Sequence, residues 1–144
     1  MTTAEIHDDD VTNVLEKDGV PTVMIGPEFE NNPITHLEEI KKLSGTPPWA
    51  VRLALNERFG GVIICQNPGE GNRVHYHPDA DECWVILEGE WEWFIEGEGV
   101  KKATVNDIIV VQKGVKHQIR CVGDKPAIRF AITAPNVDHV YPAS

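Results

Sequence analysis

A series of short β-forming runs, separated by Gly, Pro, Asn and Asp, fills the chain from Trp49 onward. Runs of this length with such dividers are typical of a β-sandwich or barrel, so we predict an all-β fold. The 144 residues, 41% of them hydrophobic, suffice for one domain with a core and a small cavity. The runs are WAVRLALNE, GGVIICQ, NRVHYH, ECWVILEG, EWEWFIEG, DIIVVQ, HQIRCV and AIRFAIT.

The segment before Trp49 has a different pattern. A strand-like GVPTVMIG is followed by one short helix, for which we predict Asn32 as N-cap, Pro33 as first helical residue and Gly45 just past the end. Its apolar stripe would pack against the domain. We therefore divide the chain into an N-terminal arm with a helix, 1–48, and a barrel, 49–144, within one structural domain. The tail after the last run reads as an irregular surface terminus. The predicted stripe is Ile34, Leu37, Ile40 and Leu43.

Charge and cysteine content exclude several classes of function. Acidic residues outnumber basic ones by 23 to 13, and the formal net charge of -10 argues against a nucleic-acid or membrane partner. The first residues lack the pattern of a signal peptide, and no apolar run is long enough to span a bilayer. Three widely spaced cysteines outside any CxxC pattern fit reduced thiols. We expect a cytoplasmic protein.

Two histidines lie two residues apart in the run NRVHYH. Because side chains alternate along a strand, Arg73, His75 and His77 would share one face and Tyr76 would point away. The turn PDAD then returns the chain, so that Glu82 can lie beside the histidines. Two imidazoles and a carboxylate are a typical binding set for a first-row divalent metal.

These residues belong to a longer motif that resembles the first motif of the cupin superfamily, G-x5-HxH-x3,4-E-x6-G. Every fixed position is filled here, by Gly69, His75, His77, Glu82 and Gly89. In the second cupin motif, G-x5-PxG-x2-H-x3-N, only Gly114 and His117 match. Asn106, Gln112 and Cys121 replace the first Gly, the Pro and the Asn. Asn tolerates the left-handed conformation that Gly supplies, so we expect the first replacement to be mild.

The resemblance implies a jelly-roll β-barrel that holds one divalent metal ion on His75, His77, Glu82 and His117. Four N and O donors would leave two positions open on a six-coordinate metal, for a bidentate substrate or for substrate plus dioxygen. Fe(II) is our first choice of metal, although donor types alone do not decide the metal. Mn(II), Ni(II), Cu(II) and Zn(II) also suit such a site.

Strand alternation also assigns candidate substrate contacts. Arg73 could grip a carboxylate at the cavity mouth, unless it is a surface residue. Trp84 shares the inward face of Glu82, and Cys121 shares that of His117, where a thiol could also be simply buried. Trp91 and Trp93 are better explained as core or as a subunit contact.

The resemblance implies an enzyme acting on a small molecule, and we expect an Fe(II)-dependent dioxygenase. Two alternatives stay open. One is a non-redox isomerase, lyase or cyclase with the metal as Lewis acid, which would need a further proton-transfer residue that alternation does not reveal. The other is a small-molecule-binding protein. We also predict a homodimer, because Val85, Leu87 and the VPTVMIG strand offer apolar surface.

Overall fold

The computed structural model describes residues 6–8, 23–25, 27–135 and 137–142. The strands are β1 Ile6–Asp8, β2 Val23–Ile25, β3 Trp49–Leu55, β4 Gly60–Gln66, β5 Glu82–Glu88, β6 Glu90–Ile95, β7 Gly99–Thr104, β8 Ile108–Val111, β9 His117–Val122, β10 Ala127–Thr133 and β11 His139–Tyr141. They form a small two-stranded sheet in the order β1-β11, a six-stranded sheet in the order β2-β3-β4-β10-β5-β8, and a three-stranded sheet in the order β7-β6-β9. All strand pairs are antiparallel except β2 with β3.

The prediction of an all-β jelly roll with one short helix is confirmed. The interior cluster joins side chains of both large sheets, including the buried indoles of Trp84, Trp91 and Trp93. Burial alternates along β5, β6 and β9 as the sequence pattern predicts. The tryptophans of β6 are therefore core residues, and each is worth roughly 3–5 kcal/mol of stability against truncation to Ala.

Within the described residues one α-helix, α1, spans Leu37–Ser44 and covers part of the outer face of the six-stranded sheet. Ile40 is 1% exposed and packs in the cluster that contains Trp49 and Ile63. The predicted stripe is wrong at both ends, since Ile34 is 75% exposed ahead of the helix and Leu43 is 66% exposed.

The predicted start of the helix is wrong by several residues. His36, not Asn32, is the N-cap, and Gly45 ends the helix with a φ of 73°, as predicted. Asn31 and Asn32 make hydrogen bonds that do not cap the helix. Asn31 exchanges hydrogen bonds of 3.0 Å with the backbone of Leu55, and the amide of Asn32 donates to the Glu28 carbonyl at 2.8 Å. These contacts hold the Pro27–Phe29 3-10 turn against β3 instead of starting a helix.

Two tight positions fix the connections around the barrel. Gly89 joins β5 to β6 with a φ of 80°, and a Cβ there would collide with Ala127. Asn106, which stands where the cupin motif has Gly, takes a φ of 75° before β8. The expectation that Asn would adopt the left-handed conformation at this turn is confirmed.

The sequence predicted that the tail is an irregular surface segment, and this prediction is wrong for the residues that form β11. Residues His139–Tyr141 form β11, which pairs with β1, and Val140 also forms a bridge with Tyr76. Val140 and Tyr141 are 1% and 2% exposed, so they belong to the packed structure. None of the described helices is long and apolar enough to cross a bilayer.

Candidate metal centre

Four buried side chains converge inside the barrel: His75, His77, Glu82 and His117. One potential ligand atom from each lies within 4.8 Å of all the others. Their exposures are 2%, 2%, 8% and 0%. The predicted set is thus brought together, although Glu82 and His117 begin strands of different sheets.

The NRVHYH segment is not a regular strand, contrary to prediction. Within it only isolated bridges form, His75 with His117 and Tyr76 with Val140, and Gly71 just before it forms a bridge with Arg120. A Cβ on Gly71 would collide with the Ile119 backbone, so only glycine allows this approach. The backbones of His75 and His117 exchange two hydrogen bonds, of 3.0 and 2.8 Å. Residues paired in this way project side chains to the same face, and the two ring centroids lie 4.3 Å apart.

Each histidine of the cluster is oriented by a backbone carbonyl. The Nδ1 atoms of His75, His77 and His117 lie 2.8, 3.2 and 3.0 Å from carbonyl oxygens of Arg73, Asp138 and Val115. A carbonyl only accepts, so each Nδ1 carries the proton that it donates. This tautomer leaves Nε2 for a metal, and such outer contacts are usual for metal-bound histidine.

The electrostatics of the cluster centre on Glu82. Burial would raise the pKa of its carboxyl, but contacts with His117 and His77 outweigh burial and hold it well below its usual range. His77 donates from Nε2 to Oε1 of Glu82 at 2.7 Å, and this bond raises the histidine's pKa against the effect of burial. Burial, reinforced by the neighbouring histidines, lowers the pKa of His75 well below the ordinary value. In the metal-free cluster, a positive charge is therefore favoured on His77, beside the carboxylate, and disfavoured on His75.

The cluster fits a divalent metal. Ligand atoms at roughly 2.1 Å from one ion are at most about 4.2 Å apart, so a contraction of a few tenths of an ångström would satisfy all four. Nε2 of His117 lies 3.7 Å from Oε1 of Glu82, and it is buried without a hydrogen-bond partner within the described ranges. A buried ring nitrogen in that position is suited to a metal bond. The cluster could therefore bind a metal ion, and its donors do not identify which one.

Trp84 and Cys121, the two predicted substrate contacts on strands, lie in different surroundings. The Trp84 ring is 5.3 Å from that of His117, so it forms part of the wall. Cys121 shares the face of His117, but its thiol lies 3.5 Å from the Gln66 carbonyl, and burial raises its pKa. A protonated, buried thiol in the core agrees better with the alternative of simple packing. A substrate contact by either residue stays a prediction.

Arg73 lies beside the cluster and is held by an aromatic ring. Its guanidinium carbon is 4.1 Å from the ring centroid of Tyr141, which is itself 5.7 Å from the His75 ring. The carbonyl of Arg73 also accepts the hydrogen bond from His75 Nδ1. Its predicted role as substrate anchor is untested by this geometry.

Sequence reasoning missed the contribution of β11. The ring of His139 lies 4.4 Å from that of His77 and 5.3 Å from that of His75, between centroids. Its Nδ1 is 3.2 Å from the Val137 carbonyl, the same arrangement as in the cluster. His139 and Tyr141 are two residues apart, as His75 and His77 are, and this spacing is the sequence pattern that could have predicted a strand facing the cluster.

Comparisons with known proteins agree with this architecture. The chain is 32% identical over 78 residues to the tetracenomycin polyketide synthase protein TcmJ of Streptomyces glaucescens, an alignment that covers 51% of this chain and 52% of TcmJ. It is 35% identical over 46 residues to the Bacillus subtilis protein YdbB, covering 32% of this chain and 41% of YdbB. The chain thus spans about half the length or less of these curated relatives.

Among solved structures, a Klebsiella pneumoniae protein with a double-stranded β-helix domain aligns with a TM-score of 0.64 at 22% identity, over 79% of this chain and 99% of that one. This similarity shows the fold alone. The family model described as the cupin domain matches residues 62–133, half of the chain, which include all four residues of the cluster. The chain belongs to the cupin family.

Proposed function

We propose that this chain is a metal-dependent enzyme that acts on a small organic anion through a proton transfer, as an isomerase, lyase or cyclase does. The observation that carries the proposal is the ring of His139, 4.4 Å from the His77 ring and outside the four-residue cluster. The non-redox alternative needs such a residue, and the sequence pattern alone did not reveal one. For this reason we now place the non-redox enzyme ahead of the dioxygenase, which the sequence analysis placed first.

Each residue of the site would have a separate role in such a reaction. A divalent metal held by His75, His77, Glu82 and His117 would polarise a carbonyl oxygen of the substrate. His139, whose Nδ1 is oriented by the Val137 carbonyl at 3.2 Å, would take up or return a proton through Nε2. Arg73 would bind an acidic group of the substrate.

An Fe(II)-dependent dioxygenase is the second candidate. The observation that favours it is the donor set itself: three imidazoles and one carboxylate leave two of six coordination positions for substrate and dioxygen. This chemistry would require no contribution from His139. The two candidates therefore differ in what His139 and oxygen do.

The experiment begins with the metal content of protein purified without added metal. The purified protein is then incubated with a panel of small carboxylates, hydroxy acids, diketones and catechols, with an oxygen electrode and with NMR in D2O. Substrate-dependent deuterium incorporation without oxygen uptake supports the proton-transfer enzyme. Oxygen uptake in proportion to product supports the dioxygenase. Ligand binding without turnover under either condition favours a binding protein and contradicts the proposal.

Variants of two histidines sharpen the test. His139→Asn should keep the metal content and lower the rate of deuterium incorporation roughly 100-fold, the lower end for loss of a general base. His36→Asn is the matched control, since His36 is exposed at the start of α1 and makes no side-chain cap contact. Full exchange activity in His139→Asn would exclude His139 as the proton-transfer residue.

A further inference from the structure

The outer face of the six-stranded sheet is covered unevenly. Helix α1 and the Pro27–Phe29 turn pack over β3, β4 and part of β10. Farther along the same face, Ile108 and Val110 on β8 are 67% and 62% exposed. They are the partners of Val85 and Cys83 on β5, which are only half-buried. We call these four side chains the β8 strip.

The β8 strip lies at the edge of its sheet. Among the described strands, β8 pairs with β5 alone. Edge strands commonly carry charges that prevent association, as Lys101 and Lys102 do on the edge strand β7. In β8 all four residues are Ile or Val. An exposed apolar edge without such protection is suited to contact with another chain.

We propose that the β8 strip is the contact between two copies of this chain, with the two β8 strands antiparallel about a two-fold axis at Val110. Such an axis places each residue opposite the one equally far on the other side of Val110. Exposed Asp107 just before β8 is then brought toward exposed Lys113, in the turn just after β8 of the second copy, once at each end of the strip. The uncharged centre also avoids the repulsion expected between two chains of net charge -10.

This arrangement differs from the surface that the sequence suggested for a homodimer. Leu87 packs in the cluster that contains Ile40 of α1, and Val23–Ile25 lies at the opposite edge of the same sheet. Val85 is retained from that prediction. The inference does not depend on the proposed enzymatic reaction, since the strip lies on the face opposite the barrel interior.

Sedimentation velocity at micromolar concentration tests the contact. Wild type should sediment as a species of twice the 16.0 kDa chain mass. Val110→Lys places two like charges at the axis and should weaken the dimer roughly 100-fold. Val100→Lys is the matched control, because Val100 is also 62% exposed but lies on β7. A monomeric wild type, or a dimer unaffected by Val110→Lys, would overturn the proposal.

Disulfide trapping tests the position of the axis. Val110→Cys in a Cys83→Ala background should form an intermolecular disulfide under mild oxidation, because residues on a two-fold axis between antiparallel strands have Cα atoms roughly 4.5–5.5 Å apart. Val100→Cys in the same background should stay monomeric on a non-reducing gel. Equal crosslinking of both variants would contradict the proposed axis.

Discussion

Replacing Glu82 by Gln tests whether the cluster is a metal site. The substitution keeps the size of a side chain that is 8% exposed and removes the only carboxylate among the four candidate ligands. We expect the affinity for a divalent ion to fall at least about 100-fold, since residues that merely orient ligands are worth up to that factor. A factor of 100 corresponds to about 2.7 kcal/mol.

The same substitution should change the number of protons released on metal binding. In metal-free protein His77 donates from Nε2 to Glu82 and from Nδ1 toward the Asp138 carbonyl, so it carries both protons. A metal on Nε2 must displace one of them. Without the carboxylate, the main cause of the raised pKa of His77 is lost, so Glu82→Gln should release fewer protons near neutral pH.

Titration calorimetry in two buffers of different ionisation enthalpy measures affinity and proton release together. Glu88→Gln is the matched control, since Glu88 lies on the same strand and its carboxylate pairs with Lys41 at 2.8 Å instead of the cluster. Glu82→Gln with wild-type affinity and proton release would refute the assignment of Glu82 as a ligand. A comparable loss in Glu88→Gln would show that the effect is not specific to the cluster.

Three further predictions concern stability. Gly89→Ala should destabilise the fold by more than about 2 kcal/mol, because the added Cβ meets Ala127. Gly97→Ala has open space around it and should cost only about 1–2 kcal/mol, for its φ of 85°. Equal losses of unfolding free energy for the two variants in urea would contradict the close approach of Gly89 to Ala127. Ile40→Ala should lower the free energy of unfolding by about 2–5 kcal/mol, whereas Leu43→Ala should change it by less than about 0.5 kcal/mol. A thermal unfolding experiment that gives the reverse order would contradict the described packing of α1. In metal-free protein, the lowered pKa of Glu82 contributes stability above its ordinary value of 4.5 that is lost as the pH falls below it. The difference in unfolding free energy between wild type and Glu82→Gln should therefore shrink below that pH, and a difference that grows there would be inconsistent with a lowered pKa.

The parts of the structure that sequence predicts well are those governed by short-range periodicity. Alternation along β5, β6 and β9 identified the inward face, and the HxH spacing with Glu82 identified three residues of the cluster. The fourth, His117, was implied only by the resemblance to the cupin motifs. The helix start failed because Asn31 and Asn32 make hydrogen bonds to Leu55 and Glu28 that compete with capping. A local pattern carries no information on such partners.

The contribution of β11 could not be read from local pattern either. His139 and Tyr141 reach the cluster because β11 pairs with β1, far away in sequence, and bridges Tyr76. Short terminal segments rich in Pro and Asn usually lie on the surface, and only tertiary pairing overrides that tendency. The exposed β8 strip likewise depends on which part of a sheet α1 covers.

The carbonyl that orients His77 belongs to Asp138, 61 residues later in the chain. All four candidate ligands emerge from the ribosome before this carbonyl does. A nascent chain ending near residue 120 would carry every donor atom but would lack the contact that sets the tautomer of His77. Metal capture with mature affinity must therefore wait until Asp138 has been synthesised and its carbonyl lies beside His77, so loading of the site is coupled to the docking of β11.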